Sequence, residues 1–383
     1  MNTFEAVRKR YPAANNQVYL DTSTTGLFST NSYEAMKGIL DKRLLSGVSI
    51  AGYWESWQAA DDWRAVFAGM IGARADEIFY GKDSSDMLNT FINGIEIPAG
   101  SNVIVPDISF PATRNAWLNQ ERNGVAVRYM KNQGGVVTTD QVLDSIDADT
   151  FAVSICSVEP SSGYHYEIRR LGDACRERGV YLVVDATQSL GAMDLDVEEM
   201  KIDVMVASTY KWLANVFGFS VGYMRKTVID KIRPCHVGWT GVRDRVKDFN
   251  NPALVLHEGA QKFETGGLNW LGLNGVKESV ATYLSLGKKD VEDHILNLVA
   301  LLYREVDKLE QVTIDPWLQE INRSGIVYLK AAEGYNWSNE FFETRKIRLN
   351  LSGDRLRIGI HFYNNEEDIR TFVSALTELL AKE

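Results

Sequence analysis

The sequence predicts an α/β fold with a largely parallel β-sheet, followed by a smaller region of mixed α and β structure. Short apolar runs rich in valine and isoleucine alternate with helix-like segments of ten or more residues over roughly residues 75–225. This alternation is typical of βαβ units, in which helices cover both faces of a parallel sheet. The pattern changes after about residue 275, which indicates a second structural region.

The strand candidates of the first region are continuous apolar runs, as expected for strands that are buried on both faces. They read "NVIVPD", "FAVSICSV", "VYLVVDA" and "IDVMVAS". The helix candidates between them include "TRNAWLNQERNG" and "IRRLGDACRERG". We therefore assign residues 15–275 to one large α/β domain.

The second region begins with the long amphipathic stretch "GVKESVATYLSLGKKDVEDHILNLVALLYREVDKLE". Shorter strand candidates follow, "GIVYLKA", "IRLNLS" and "RLRIGIHF", and "NEEDIRTFVSALTELLAKE" predicts a closing helix. We assign residues 276–383, together with residues 1–14, to a smaller α+β domain. No repeat or low-complexity linker separates the two parts, so we expect them to pack closely.

Composition favours a globular protein that acts on small molecules. Of the 383 residues, 45% are apolar, which is enough for a complete core. The 41 basic and 51 acidic residues give a formal charge of −10, which disfavours binding to nucleic acid or to an anionic membrane. The N-terminal residues lack the apolar core of a signal peptide, and no run of about 18 apolar residues occurs. We expect a cytoplasmic protein.

The three cysteines do not predict a disulfide framework or a metal site. Cys156, Cys175 and Cys235 form no CxxC pair, and no histidine stands at metal-ligand spacing from them. We interpret them as core or neutral positions.

Polar residues follow two neighbouring strand candidates, at the ends where open α/β sheets bind their ligands. Asp185 ends one strand and Gln188 follows it, while Ser208 and Lys211 come just after the next strand, with Tyr210 beside the lysine. An alternative is that Asp185 caps a helix and that Lys211 pairs with a surface acid.

The combination of Asp185 and Lys211 nevertheless indicates a catalytic role. A lysine close to apolar and aromatic groups tends to lose its proton, and a neutral amine can attack a carbonyl group. A carboxylate that keeps a heterocyclic nitrogen protonated is what pyridoxal phosphate needs as an electron sink.

The segment "VYLVVDATQSLGAMDLDVEEMKIDVMVASTYKWLANVFGFSVGYM" resembles the core signature of the class V aminotransferase family of pyridoxal-phosphate enzymes. Relatives in that family include cysteine desulfurases, isopenicillin epimerase-like proteins and kynureninase. The resemblance implies the fold type I of pyridoxal-phosphate-dependent transferases. It also implies that Lys211 forms a Schiff base with pyridoxal 5'-phosphate, with Asp185, Gln188, Ser208 and Tyr210 around the cofactor.

Other segments resemble the family's opening strand and phosphate loop. "NNQVYLDTSTTGL" places Tyr19, Asp21 and Gly26 in register with the family's opening "YLDxAxTG" segment. "FYGKDSSDMLN" resembles the phosphate loop, so Ser84 and Ser85 would meet the phosphate at a helix N-terminus. Asp83 departs from the family's usual glycine and would repel a phosphate unless its side chain turns away, for example as a helix cap.

Two further segments resemble loops that face the cofactor ring. "DISFPATRNAW" resembles the loop that lays an aromatic ring over the pyridine, and Phe110 is the matching residue, although a core position is the alternative. "SVEPSSGYHYEI" resembles the turn that faces the phenolic oxygen of the cofactor, where Ser162 matches. Gln188 is the stronger candidate for that oxygen.

The resemblance also implies a homodimer with its site at the subunit boundary. "HVGWTGV" and "KFETGGLNWLGLNGV" resemble segments that reach into the neighbouring subunit, where Gly267 replaces a threonine and would offer its backbone amide alone to the partner's phosphate. "RLRIGIHFYNNEEDI" places Arg357 at the arginine that binds the substrate carboxylate bidentately. An outward-facing strand position is the alternative for Arg357.

These features predict a pyridoxal-phosphate enzyme for a small amino acid, and we expect transamination, with a β-lyase of the C–S type or an epimerase as alternatives. A cofactor-binding protein without catalysis is a further alternative. Cysteine desulfurases carry a nucleophilic cysteine shortly before the C-terminal arginine. "EGYNWSNEFFETRKIRLNLSGDRLRIG" contains no cysteine, so we expect no cysteine desulfurase activity.

Overall fold

A seven-stranded, mainly parallel sheet forms the centre of the protein in the computed structural model, which describes residues 3–243 and 252–381. The strand order is β2-β8-β7-β6-β5-β3-β4, and within this sheet β8 alone runs against its neighbours. The strands are β2 (Ile78–Gly81), β3 (Asn102–Pro106), β4 (Ala126–Met130), β5 (Thr150–Cys156), β6 (Tyr181–Asp185), β7 (Val204–Ser208) and β8 (Ser220–Met224). The predicted α/β class with a largely parallel sheet is confirmed.

Apolar side chains cover both faces of this sheet. Along β3, Val103 and Val105 pack into one hydrophobic cluster, whereas Ile104 packs into the other. This alternation explains why the strand sequences are continuous apolar runs, since every side chain in turn meets a layer of helices. The helices that alternate with these strands are α5 (Ser84–Gly94), α6 (Pro111–Leu118), α7 (Thr139–Asp144), α8 (Ile168–Arg178) and α9 (Lys226–Ile229).

The C-terminal part contains a second, antiparallel sheet and several helices. The long amphipathic stretch forms two helices, because the chain turns at Gly287, whose φ of +88° suits a glycine. The sheet has the order β12-β13-β10-β9. The elements are α10 (Trp270–Leu286), α11 (Lys288–Val306), β9 (Val312–Ile314), β10 (Ile326–Ala331), α12 (Asn339–Thr344), β11 (Ile347–Arg348), β12 (Asn350–Ser352), β13 (Arg355–Gly359) and α13 (Glu366–Leu380).

The N-terminal residues lie against this C-terminal part. Strand β1 pairs in parallel with β11, and Arg8 forms an ion pair with Asp368 at 2.6 Å. The assignment of residues 1–14 and 276–383 to one domain stays a prediction, and helix α10 runs across its boundary at residue 275. The N-terminal elements are α1 (Thr3–Arg8), α2 (Pro12–Asn16), β1 (Val18–Tyr19), α3 (Thr30–Leu45) and α4 (Ile50–Ile71).

None of the helices within residues 3–243 and 252–381 combines the length and the apolar character that a membrane crossing requires.

A buried ion pair joins helix α4 to the segment that precedes α10. Arg64 donates two hydrogen bonds to the Glu264 carboxylate, at 2.6 and 2.9 Å, and both side chains are buried. Glu264 also accepts a hydrogen bond from the Tyr80 amide at 2.9 Å, and the Arg64 guanidinium lies over the Tyr80 ring. These contacts satisfy both charges, so the pair fixes the start of the glycine-rich segment 265–269 against β2.

We predict that Glu264→Ala lowers the free energy of unfolding by about 3–5 kcal/mol, because Arg64 is left buried without its counterion. Urea unfolding followed by circular dichroism measures this change. Asp41→Ala is the control, since it removes an exposed ion pair with Lys37 and should leave the unfolding midpoint almost unchanged. Equal effects of the two substitutions would contradict a stabilising role for the buried pair.

Candidate active site

Three neighbouring strands end at the same edge of the central sheet and place polar side chains there. Strands β5 and β6 pair in parallel with Cys156 opposite Asp185, and β6 pairs in parallel with β7. Asp185 and Ser208 are the last residues of β6 and β7. Lys211 follows three residues after Ser208, so the predicted carboxylate and amine reach one edge of the sheet.

The Asp185 carboxylate is buried and is held by the turn that follows it. The backbone amide of Thr187 donates to Oδ1 of Asp185 at 2.9 Å. Burial raises the pKa of Asp185, while hydrogen bonds from Thr187 and the nearby charge of Lys211 act in the opposite direction. A cation placed against this carboxylate would therefore stabilise its charged form, which burial disfavours.

The Lys211 amine lies between two aromatic rings. Its Nζ is 5.7 Å from the ring centroid of Phe110 and 5.7 Å from that of Tyr210. Burial lowers the pKa of Lys211 to about 8, although Asp185 partly opposes this by favouring the charged form. A substantial fraction of the amine is therefore neutral, and nucleophilic, near physiological pH.

A cavity at this edge contains most of the residues that the sequence assigns to the site. Tyr210 is half-buried and packs against Phe217, with a distance of 4.3 Å between the ring centroids. Phe110 is 47% exposed and forms part of the cavity wall. The lining residues are Ser84, Phe110, Cys156, Pro160, Asp185, Thr187, Gln188, Tyr210 and Lys211.

Helix α5 begins at this cavity with the two predicted phosphate-binding serines. Ser84 is buried, and its amide donates to Oγ of Ser208 at 3.1 Å, whereas Ser85 is exposed. Asp83 caps the helix, because its side chain accepts a hydrogen bond from the Asp86 amide at 2.9 Å. The Asp83 carboxylate is thus bound to the helix backbone as an N-cap. This is the arrangement that we expected if a phosphate is to bind nearby.

An N-terminal loop, residues 20–26, forms another wall of the site. Gln188 donates from Nε2 to the Ser23 carbonyl at 3.1 Å and accepts from Nε1 of Trp212 at 2.8 Å. Gly26 donates from its amide to the Tyr210 carbonyl at 2.9 Å, and a Cβ at Gly26 would lie 2.0 Å from the Lys211 carbonyl oxygen. This approach requires a glycine.

Arg357 extends from β13 towards the same N-terminal loop. Its side chain is 16% exposed, and its Nη2 donates to Oγ1 of Thr24 and lies 3.5 Å from Oδ1 of Asp21. The side chain therefore faces the loop that also contacts Gln188 and the Lys211 segment. Its predicted role in binding a substrate carboxylate stays a prediction.

Five predicted site residues do not line the cavity at Lys211: Ser85, Ser162, Ser208, Gly267 and Arg357. The Ser162 hydroxyl accepts a hydrogen bond from the Tyr164 amide at 3.3 Å, and Pro160 occupies the cavity wall instead. Gly267 lines a separate cavity beside Lys82, Cys235 and His236. A Cβ at Gly267 would meet no atom of the described residues within 4 Å, so this position is open to solvent or to another chain.

Sequence reasoning missed three residues of this region. Thr187 binds both Asp185 and, through its hydroxyl, the Ser208 amide at 3.0 Å. Glu159 is wholly buried, and its carboxylate accepts a 2.5 Å hydrogen bond from Ser109, the residue before Phe110. Cys156 could have been found, because its strand end lies in register with Asp185, whereas the Glu159 contact spans two separate loops and left no local signal.

The whole chain is similar to known proteins in sequence and in fold. A family model described as Aminotransferase class-V matches residues 18–372. A probable cysteine desulfurase of Methanothermobacter thermautotrophicus is 25% identical over 395 residues, which cover 98% of each chain. The apo structure of a cysteine desulfurase from Thermococcus onnurineus NA1 has a TM-score of 0.88 at 22% identity, and the match covers 99% of this chain and 98% of that chain.

A carbon–sulfur lyase has the same fold. The structure of the cystine C–S lyase C-DES with its reaction product, cysteine persulfide, has a TM-score of 0.88 at 18% identity and covers 96% of this chain and 99% of that chain. A variant of C-DES carries glycine covalently linked to its pyridoxal-phosphate cofactor. These similarities confirm the predicted fold type I of pyridoxal-phosphate-dependent enzymes.

The prediction that this chain is not a cysteine desulfurase is wrong as an exclusion, because relatives named as cysteine desulfurases match it along almost its whole length. The exclusion relied on the lack of a cysteine in one segment before Arg357. Sulfur can also pass to a thiol that lies elsewhere in a chain or in another molecule, so one segment without a cysteine does not exclude desulfuration. The preference for transamination relied on the family's name, and we no longer prefer it to cleavage of a C–S bond.

The residues around Lys211 fit the cofactor that C-DES carries. A neutral amine suits its aldehyde, and the buried carboxylate of Asp185 suits a protonated ring nitrogen. The N-terminus of helix α5, with Ser84 and Ser85, suits a phosphate group, because unpaired amides and the helix dipole favour an anion there. Phe110 is placed beside Lys211, where an aromatic ring can cover a planar ligand.

We predict that the rate at which the cofactor-free protein binds pyridoxal phosphate rises with pH and levels off above about pH 8, because the neutral Lys211 amine is the reactive form. An ordinary lysine would give a rate that still rises up to about pH 10. Visible absorbance follows the reaction, and borohydride reduction with peptide mass analysis identifies the modified residue. Lys211→Ala should show no absorbance change, whereas Lys330→Ala, at an exposed position, should behave as the wild type.

Proposed function

Because the chain belongs to the class V aminotransferase family of pyridoxal-phosphate-dependent enzymes, we propose that it removes sulfur from L-cysteine. The observation that carries this proposal is the pairing of a buried, partly neutral Lys211 with Asp185 at one sheet edge, in a chain matched end to end by probable cysteine desulfurases. The lyase C-DES, with cysteine persulfide as its product, supports chemistry at carbon–sulfur bonds on this fold.

Pyridoxal phosphate, when bound, supplies an aldehyde for the amino group and an electron-accepting ring for the negative charge that develops on the α carbon. Lys211 has two roles in this proposal. Its Nζ holds the cofactor between substrates, and the same nitrogen, once free, accepts the α proton of the substrate. A pKa of about 8 suits both roles, because the amine is neither locked in the charged form nor too weak a base.

The other residues of the site bind and orient. Asp185 would keep a positive charge on the ring nitrogen. Ser84 and Ser85, at the N-terminus of α5, and Ser208, which accepts from the Ser84 amide, would hold the phosphate. Phe110 and Tyr210, whose ring centroids lie 5.7 Å from Nζ of Lys211, would flank the ring. Gln188, which is fixed by Trp212 and by the Ser23 carbonyl, would donate its remaining amide N–H to the ring substituent beside the aldehyde.

Arg357 binds the substrate carboxylate in this proposal. Its guanidinium has a planar arrangement of N–H groups that matches a carboxylate, and it lies on the strand that faces the N-terminal loop of the site. The positive charge of Arg357 also helps to lower the pKa of the nearby Lys211 amine. Substrate binding would therefore place a carboxylate at Arg357 and an amino group towards Lys211.

We predict that the holoenzyme converts L-cysteine and reduced dithiothreitol to L-alanine, hydrogen sulfide and oxidised dithiothreitol in equal amounts. The dithiol supplies the two electrons and two protons that the sulfur atom needs in order to leave as sulfide. Amino acid analysis quantifies alanine, and a colorimetric assay quantifies sulfide. Lys211→Ala should abolish both products.

Two other outcomes of this assay would contradict desulfuration. Pyruvate and ammonia in place of alanine would indicate β-elimination. A stable loss of the yellow cofactor absorbance, restored by a keto acid, would indicate transamination.

We also propose that the active form is a homodimer. The glycine-rich segment 265–269 and the residues around Val237 form a surface cavity that is separate from Lys211. Large apolar side chains are exposed nearby in the loops, including Phe217, which is 65% exposed, and Val237. A second copy of the chain could cover this surface and bring Gly267 to the site of its partner.

We predict a particle of twice the chain mass of 43.0 kDa, measured by light scattering after size-exclusion chromatography. Val237→Asp should shift the protein towards the monomer, because it places a charge on the proposed contact surface. Asp41→Lys, on the exposed face of α3, serves as a control for a change of charge. A monomeric wild-type protein that retains full activity would contradict this proposal.

A further inference from the structure

Arg357 already has an anionic neighbour within the same chain. Its Nη2 donates to the Thr24 hydroxyl and lies 3.5 Å from Oδ1 of Asp21. The Asp21 side chain is 7% exposed, and its Oδ1 is buried without a hydrogen-bond partner among residues 3–243 and 252–381. The two charges are therefore close to each other, but their hydrogen bonding is incomplete.

One hydrogen-bond donor of Arg357 is not used within the described chain. Its Nε is buried and has no hydrogen-bond partner within the described chain. Nε and Nη2 form one edge of the guanidinium group, and a carboxylate that bound this edge through two hydrogen bonds would need both nitrogens. Nη2 must then exchange Thr24 for the ligand, and the ligand carboxylate must lie close to Asp21.

Asp21 is fixed by backbone contacts, so it cannot simply withdraw. The Gly359 amide donates to the Leu20 carbonyl at 2.7 Å, and Asp21 and Gly359 form an isolated parallel bridge. At its other end, the loop is held by the hydrogen bond from Gly26 to Tyr210. A ligand carboxylate at Arg357 therefore meets a second negative charge, carried by a backbone segment that is held at both ends.

Asp21 also interacts electrostatically with Lys211, where its negative charge favours the protonated amine. An amino acid brings its own amino group towards Lys211, whereas a simple carboxylate brings only negative charge. The repulsion from Asp21 is thus offset for a zwitterion and not offset for a plain anion.

We propose that Asp21 is a specificity-determining residue, which competes with ligand carboxylates for Arg357 and thereby favours amino acids over carboxylate anions that lack an amino group. The proposal rests on the carboxylate-binding role given to Arg357 above. It gives a role to the buried acid beside the arginine that a substrate must use: the acid neutralises Arg357 in the free enzyme and discriminates against unproductive anions.

The test compares L-alanine with propionate, two ligands that differ by the amino group, on the holoenzyme by isothermal titration calorimetry. Wild type should bind L-alanine more tightly than propionate. Asp21→Asn keeps the shape of the side chain and removes its charge, so propionate affinity should rise about three- to tenfold, the range expected for one like charge at short distance in a partly solvated site. L-alanine affinity should change by less than about twofold, since attraction to its amino group is lost together with repulsion of its carboxylate.

Control variants separate this effect from a general disturbance of the site. Asp107→Asn removes another acid of the large domain, which pairs with Lys131, and should leave the ratio of the two affinities unchanged. Arg357→Leu should weaken both ligands. If Asp21→Asn does not fold, as judged by circular dichroism, Asp21→Ser removes the same charge with a smaller side chain and should give the same change of ratio.

Two results would overturn the proposal. If the Asp21 variants weaken the binding of both ligands equally, Asp21 only positions Arg357. If both affinities stay unchanged, Asp21 has no part in selecting ligands. Neither ligand contains sulfur, so the outcome is independent of desulfuration. A protein that shows the ratio change but releases no sulfide from L-cysteine would refute the proposed function and leave the role of Asp21 intact.

Discussion

The parallel pairing of β5, β6 and β7 is the constraint on which the site depends. Because the three strands run in the same direction, their carboxyl ends lie at one edge of the sheet, where their last residues are Cys156, Asp185 and Ser208. Asp185 and Lys211 at this edge are both buried and thus largely shielded from water. The shielding perturbs the ionisation of Asp185 and Lys211 in a way that neither residue would show on an open surface.

A short N-terminal loop connects the parts that this sheet edge cannot position by itself. Residues 20–26 contact Gln188 through Ser23, the Lys211 segment through Gly26, and Arg357 through Asp21 and Thr24. The loop is held between the central sheet and the antiparallel sheet, since Leu20 accepts a hydrogen bond from Gly359. The cofactor-binding and substrate-binding groups of the proposed site are therefore oriented by one segment of about seven residues.

The sequence was sufficient where the relevant signal was local. Asp185 and Lys211 each follow a continuous apolar run, so their positions at strand ends could be predicted, and the cap formed by Asp83 agrees with its position before a helix. Contacts between distant segments could not be predicted in this way. Arg357 meets Thr24 across 333 positions of the chain, and Glu159 meets Ser109 across 50, with no local pattern that marks either pair. The exclusion of desulfuration failed for a related reason, because one segment without a cysteine does not define the path of a sulfur atom.

Strand β13 carries two arginines with different attachments. Arg355 and Arg357 are two positions apart and so project from the same face of the strand. Arg355 donates to the carbonyl oxygens of Asp315 and Ser161, the latter beside Pro160 in the cavity wall, whereas Arg357 contacts the N-terminal loop. One strand of the antiparallel sheet therefore holds two separate segments that border the site, the turn at Ser161 and the loop at Thr24.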